Sequence, residues 1–241
     1  MPYSRRARGD RISGRMEEVV GKSIELKAKD GFTLAAYRAD PAGKPKGGLV
    51  VIQEIFGVNH HMRNVTDRFA AAGYAAVAPA LFDRAKRGVD IGYDPASIET
   101  GRNLRTQVKL EDTLLDLQAA IDNLKGTGRI GVVGYCWGGS LAFLAATRLQ
   151  GTSGAVGYYG GMIAEHAKEK PKVPVMLHFG EQDQGIPMSD VEKVKVARPD
   201  VKIFTYPAGH GFSCDERGSF HKASHEQALE RTMAFFKEHV G

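Results

Sequence analysis

The stretch Gly134-Tyr135-Cys136-Trp137-Gly138-Gly139 leaves a chain few ways to fold around it. Ahead of it, Arg129-Ile-Gly-Val-Val133 is short, apolar and β-branched, which predicts a buried parallel strand. Behind it, Ser140 to Thr147 is rich in helix formers. A strand, a sharp glycine-rich turn and a helix form the context of the G-x-S-x-G elbow, with Cys136 in the place of serine. The glycines suit a strained turn between closely approaching backbones. Such a turn lifts the Cys136 side chain clear of the sheet at a helix N-terminus, where the dipole favours an anionic sulfur. A lone cysteine is more often a small buried hydrophobe. Within this glycine pattern, a nucleophile is the better reading.

A length of 241 residues suits one large α/β domain with a full core. With 42% hydrophobic and 25% charged residues, the composition is that of an ordinary globular protein. The net charge of +5 comes mostly from Arg5, Arg6, Arg8, Arg11 and Arg15. Residues 1–18 read as a basic tail and 19–241 as the domain; with those five arginines and Asp10 set aside the net charge is +1, which gives no case for nucleic acid. Arg5-Arg6 resembles a twin-arginine export signal, but no apolar segment follows, and no transmembrane run occurs. Two cysteines make no disulfide framework, so the expected compartment is the reducing cytoplasm. The eight histidines and two cysteines show no metal-ligand spacing.

Along the chain, Val19 to Lys29 alternates like a half-exposed strand, and Asp30-Gly31 turns it into a partner strand over Phe32 to Tyr37. Buried strands are predicted at Leu49–Ile52, Tyr74–Ala78, Ala155–Tyr159, Val173–His178 and Val201–Tyr206. Helices are predicted at Asn64–Ala72, Val108–Leu124, Val191–Ala197 and Glu226–Val240. Ala80 to Arg105 lacks periodicity and carries Gly88, Gly92, Pro95 and Gly101, so it reads as a lid or substrate-facing loop. The pattern predicts an α/β fold: a mostly parallel central sheet, helices on both faces and an antiparallel N-terminal hairpin.

A thiol nucleophile needs a base, and the base needs an orienter, all in loops at strand C-termini. Asp183 follows the strand that ends near His178, and His210 follows the strand that ends at Tyr206. The chain order Cys136, Asp183, His210 is that of α/β-hydrolases. His178 lies within its strand and reads as a hydrogen-bonded core residue, while His221 and His225 open the last helix and read as exposed. Glu181 competes with Asp183, but the turn through Gly185 favours Asp183. Glu54 directly follows a buried strand, either as a solvated loop acid or as a carboxylate beside the elbow.

From about residue 20 to 240 the sequence resembles the dienelactone hydrolase (carboxymethylenebutenolidase) family. The resemblance rests on Gln53-Glu54-Ile55-Phe56-Gly57, Ala78-Pro79-Ala80-Leu81-Phe82 with Arg84, the elbow, Gly180-Glu181-Gln182-Asp183, and Tyr206-Pro207-Ala208-Gly209-His210-Gly211-Phe212. It implies a Cys136-His210-Asp183 triad and an oxyanion hole from the backbone of Ile55 and Trp137. It further implies that Glu54 helps to ionise the thiol when substrate binds, that Arg84 holds a substrate carboxylate, and that Phe56 and Phe212 line the substrate site. No cofactor or metal is implied. The expected partner is a small ester or lactone, with no membrane partner, and the chain a monomer or homodimer. One departure matters: a second carboxylate-binding arginine of the family, four positions after the catalytic histidine, is here Cys214, with Arg217 in the same loop. Neutral or singly anchored substrates are therefore expected. Rival readings are a broad carboxylesterase and, from another class, a thiol redox protein using Cys136 and Cys214.

Overall fold

A computed structural model describes residues 20–241; the predicted basic tail lies outside the described residues. The strands are β1 (Lys22–Lys27), β2 (Thr33–Ala39), β3 (Gly48–Ile52), β4 (Ala75–Pro79), β5 (Ile130–Tyr135), β6 (Gly154–Tyr158), β7 (Val175–Gly180) and β8 (Lys202–Tyr206). The helices are α1 (His60–Ala71), α2 (Pro95–Gln107), α3 (Leu110–Asn123), α4 (Trp137–Arg148), α5 (Met188–Ala197) and α6 (Lys222–His239). One eight-stranded sheet runs β1-β2-β4-β3-β5-β6-β7-β8. β1 and β2 pair antiparallel, β2 meets β4 antiparallel, and every pair from β4 onward is parallel. Helices cover both faces. This is the α/β-hydrolase arrangement that the sequence pattern predicts.

The strand composition explains the layering. Every residue of β3, β4, β5, β6 and β7 is buried, as strands covered on both faces require. β1, at the open edge, buries only Leu26 and stays polar elsewhere. Helix α4 passes under the sheet centre, and eleven of its twelve residues are buried, so it shows no polar face. Between β3 and β5 the strand order reverses direction, which opens the crevice where open α/β sheets bind ligands.

Helix α6 begins at Lys222 rather than Glu226 and α5 at Met188 rather than Val191, β7 runs Val175–Gly180 rather than Val173–His178, and two further segments differ for a local reason. Helix α1 begins at His60 rather than Asn64, because Asn59 caps it by accepting from the Met62 N–H at 3.2 Å. The stretch read as a structureless lid contains α2. Asp94 caps its start, accepting from Ser97 N–H at 3.0 Å, and Pro95 occupies the first turn. Gly101, one of the residues behind the loop reading, is there for packing. A Cβ there would lie 2.1 Å from the Ile55 carbonyl oxygen, so only glycine lets α2 press against the loop after β3.

Candidate active site

Cys136 sits between β5 and α4 with φ 56°, one of two non-glycine residues at positive φ among the described residues. Its N–H donates to the Tyr158 carbonyl at 3.0 Å, which ties the turn to β6. Strain of this kind holds a side chain up out of the sheet. Gly134 and Gly138 make the turn possible. A Cβ at Gly134 would meet the Gly138 oxygen at 1.9 Å, and one at Gly138 would meet the Ile52 oxygen at 2.4 Å.

The loops after β7 and β8 bring Asp183 and His210 to the same edge. Asp183 is buried; one carboxylate oxygen accepts from the Gly185 N–H at 2.8 Å and the other lies 2.7 Å from Nδ1 of His210. With Nδ1 taken by Asp183, Nε2 is the ring edge left for Cys136. Burial opposes protonation of His210, but the hydrogen bonds and charges of Asp183 and Cys136 outweigh it and raise the imidazole to about 10. All three residues line one open cavity of about 460 Å³.

The loop after β3 supplies the opposite wall. Buried Gln53 donates to the Glu54 carbonyl at 3.1 Å and accepts from the Leu81 N–H at 3.0 Å, so the loop is pinned to the segment after β4. The backbone N–H groups of Ile55 and Trp137 donate to no group among the described residues. Trp137, the first residue of α4, is held by stacking on Phe82 with centroids 5.3 Å apart.

The structure separates the other predicted site residues. Phe56 lines the cavity, but Phe212 does not; it is fully buried against Tyr159 and Tyr206, a core residue beneath the His210 loop. Arg84 is also corrected. Asp116, only 1% exposed at its side chain, takes two of its N–H groups at 2.8 Å each, and Asp30 takes a third at 2.8 Å. The guanidinium lies over Phe32, outside the cavity lining. Arg84 is therefore not placed to hold substrate. Glu54 is buried rather than solvated: one carboxylate oxygen accepts from Arg217 Nη1 at 3.2 Å, and the other has no partner among the described residues. No hydrogen bond joins Glu54 to Cys136.

Two arginines face the cleft instead. Arg217 passes beneath Gly211, whose φ of +77° and lack of Cβ leave the room it needs, and its guanidinium lies 5.6 Å from the Phe56 ring. Arg102 reaches the cavity from α2 and makes no ion pair among the described residues. Sequence reasoning missed Arg102 because α2 was not read as a helix; the Asp94-Pro95 start signal was the available clue.

The remaining polar groups are structural or peripheral. His178 is a core residue as predicted, bonded to Tyr206 and Thr232, and burial lowers it to about 3, so it stays neutral. His225 is half-buried rather than exposed, with Nδ1 2.7 Å from Ser213 Oγ. Cys214 is fully buried and absent from the cavity lining, and burial, then the charge of Glu54, pushes its thiol up to about 12. That disfavours it as a redox partner for Cys136. The structure also gathers His61, Asp215 and Glu216, which sequence spacing did not reveal as a group, with ligand atoms within 4.8 Å. Asp215 already bonds His61 and Arg68 there.

The sheet order, the elbow and the loops at the strand ends define an α/β-hydrolase. Residues 34–240 match the model of the dienelactone hydrolase family, and the chain belongs to that family. A carboxymethylenebutenolidase of Pseudomonas putida is 33% identical over 225 residues, which are 89% of this chain and 95% of the relative. A Synechocystis relative is 36% identical over 226 residues, covering 85% and 91%. A Klebsiella pneumoniae structure, 28% identical, superposes with a TM-score of 0.80 over 91% of this chain and all of its own. A Pyrococcus furiosus esterase, 18% identical over 92% of this chain and 94% of its own, shares the fold with a TM-score of 0.69. The protein is a carboxylic-ester hydrolase of the carboxymethylenebutenolidase kind. None of the described helices is long and apolar enough to cross a membrane.

Proposed function

We propose that the protein hydrolyses a small ester or lactone by covalent catalysis at Cys136, with His210 as proton carrier and Asp183 as its orienter. The observation that carries this reading is the 2.7 Å contact between Asp183 and His210 Nδ1, which leaves Nε2 for the sulfur across a shared cavity. The thiolate attacks the carbonyl carbon, and the carbonyl electron pair becomes an oxyanion facing the N–H groups of Ile55 and Trp137. Collapse breaks the ester C–O bond, and the imidazolium protonates the departing oxygen. The acyl group is then a thioester. Water attacks it and gives a proton to neutral His210. Collapse breaks the C–S bond, releases the acid, and restores the thiolate–imidazolium pair. Asp183 keeps the imidazole in the required tautomer throughout. The cycle balances without a cofactor.

The cleft also supports a substrate class. Arg102 and Arg217 both line it, so a carboxylate-bearing substrate meets two guanidiniums despite the cysteine at position 214. This revises the expectation of neutral substrates. Glu54 enters as the counter-charge that fixes Arg217. Hydrogen bonds to charged groups contribute about 1.5–3 kcal/mol each, or roughly 10- to 100-fold. Arg102→Ala is expected to raise KM for a carboxylate ester by that factor and to leave its methyl ester unchanged. Equal losses on both substrates would assign Arg102 to folding. Alkylation of Cys136 tests the reaction itself: it should abolish turnover of both substrates, and retained activity would end this reading.

The imidazole also predicts a pH dependence. His210 is raised from its ordinary 6.5 to about 10 in the folded chain. Its contribution to stability is therefore complete below about pH 6.5 and is lost as pH rises towards 10. Chemical unfolding at a series of pH values should show this decline in the wild type and a shallower one in His210→Gln. The same titration removes the imidazolium needed by the leaving group, so kcat/KM should fall above about pH 10.

A further inference from the structure

A second cavity, of about 190 Å³, lies between α1 and α6 and is separate from the catalytic cleft. Both helices give it apolar walls: Val65 and Phe69 from α1, Leu229 and Met233 from α6. Three hydrogen-bonding groups complete it. Tyr135 is only 4% exposed, yet its hydroxyl makes no hydrogen bond to any described residue. The ring is buried while the hydroxyl reaches the cavity, so a hydrogen-bonding occupant of the cavity can engage it. Arg68 contributes a guanidinium that Asp215 engages through Nη2 alone. His225 uses Nδ1 for Ser213, which leaves Nε2 unused.

We propose that this cavity is a binding site for a small monocarboxylate with a compact apolar body, of the benzoate class. Size sets the body: a dry apolar cavity of about 150 Å³ accepts a benzene ring, so this one takes a single ring with a small substituent. Charge sets the head group. The Arg68 guanidinium and the Tyr135 hydroxyl can both donate, and His225 donates as well in the tautomer whose Nδ1 accepts from Ser213. A carboxylate accepts all three, whereas a neutral alcohol leaves most of them unused. Asp215 does not line the cavity; it holds Arg68 through Nη2 and its charge is also felt at His225, so a bound carboxylate would use the guanidinium N–H groups that Asp215 leaves free. Burial, then the nearby Arg68, lowers His225, which keeps that ring neutral at neutral pH and leaves Arg68 as the lining charge.

The cavity also adjoins the catalytic loops. Tyr135 immediately precedes Cys136, and Ser213 follows His210 by three residues. An occupant therefore touches the roots of both loops without entering the cleft.

Calorimetric titration of the full-length protein with sodium benzoate tests the proposal. Cys136 is first carboxamidomethylated with iodoacetamide, so that the cleft is obstructed. One saturable site is expected, weakened about tenfold or more in Arg68→Gln and for benzyl alcohol in place of benzoate. Met233→Trp fills the half-buried mouth and should abolish binding while ester hydrolysis by its unalkylated form persists. Tyr135→Phe should weaken binding less than Arg68→Gln does. No heat up to millimolar benzoate overturns the proposal. So does binding that survives both Met233→Trp and Arg68→Gln, which would put benzoate in the cleft beside Arg102 and Arg217. Equal affinity for benzyl alcohol also overturns it, because the cavity would then recognise the ring alone.

Discussion

His210→Ala is expected to lower kcat/KM for any ester substrate by about 10³- to 10⁶-fold, a range that spans proton-transfer catalysis alone and loss of a whole catalytic unit. Two distances make the loss large. The imidazole is held 2.7 Å from Asp183, and Asp183 is itself fixed by the Gly185 N–H at 2.8 Å, so the ring's position is set before substrate arrives. Without it, no other histidine lines the cleft to take up and return the proton. His178 is buried in the core and neutral, while His221 and His225 lie outside the lining. Cys136→Ala should cost about as much. The decisive variant is the double one, Cys136→Ala/His210→Ala. Residues that act as one unit lose activity only once, so the double variant should match the weaker single variant. Steady-state kinetics on a p-nitrophenyl ester would read this. Losses that multiply would show that His210 serves a step in which Cys136 takes no part.

Arg84→Met is expected to leave kcat/KM per folded molecule unchanged and to destabilise the protein by about 3 kcal/mol, the low end of the range for a broken buried ion pair. The reason is Asp116. Its side chain is 1% exposed and spends both oxygens on Arg84, so removing the guanidinium strands a buried carboxylate. Burial already pushes the Asp116 carboxyl above its ordinary range, with Arg84 opposing that shift. The stranded carboxyl should therefore take up a proton, and the variant should lose more stability at pH 8 than at pH 5. Arg84→Met/Asp116→Leu should recover much of the loss, because replacing both members of a buried pair leaves no orphaned charge. Urea unfolding of the three proteins measures this. A KM defect confined to carboxylate substrates in Arg84→Met would return Arg84 to the substrate site.

How much of the site was legible depends on the range of the interaction involved. Cys136, Asp183 and His210 could be placed from sequence because each lies in a loop at the end of a recognisable apolar strand. Parallel strands deliver such loops to a single edge. The elbow was legible for the same local reason: Gly134 and Gly138 record, in the chain itself, that two backbones nearly touch there. Gln53-Glu54-Ile55 was legible as a strand exit, but not the direction of Glu54, which is set by an arginine 163 residues further on.

Arg84 and Phe212 illustrate the opposite case. Both stand in motifs that suggested substrate contact, and packing assigned both elsewhere: Arg84 to an aspartate 32 residues away, Phe212 to the aromatic cluster with Tyr159 and Tyr206. Arg102 was hidden because Gly101, one of the residues behind the loop reading, is a contact surface for the Ile55 carbonyl. The sequence by itself determined the order of strands and helices, the sharp turn at Cys136 and the three loops that carry the proposed chemistry, because periodicity and turn residues act over a few positions. Tertiary structure alone decided which arginines face the cleft. A guanidinium's position depends on which carboxylate, ring or open space lies within its reach, and those neighbours come from distant parts of the chain.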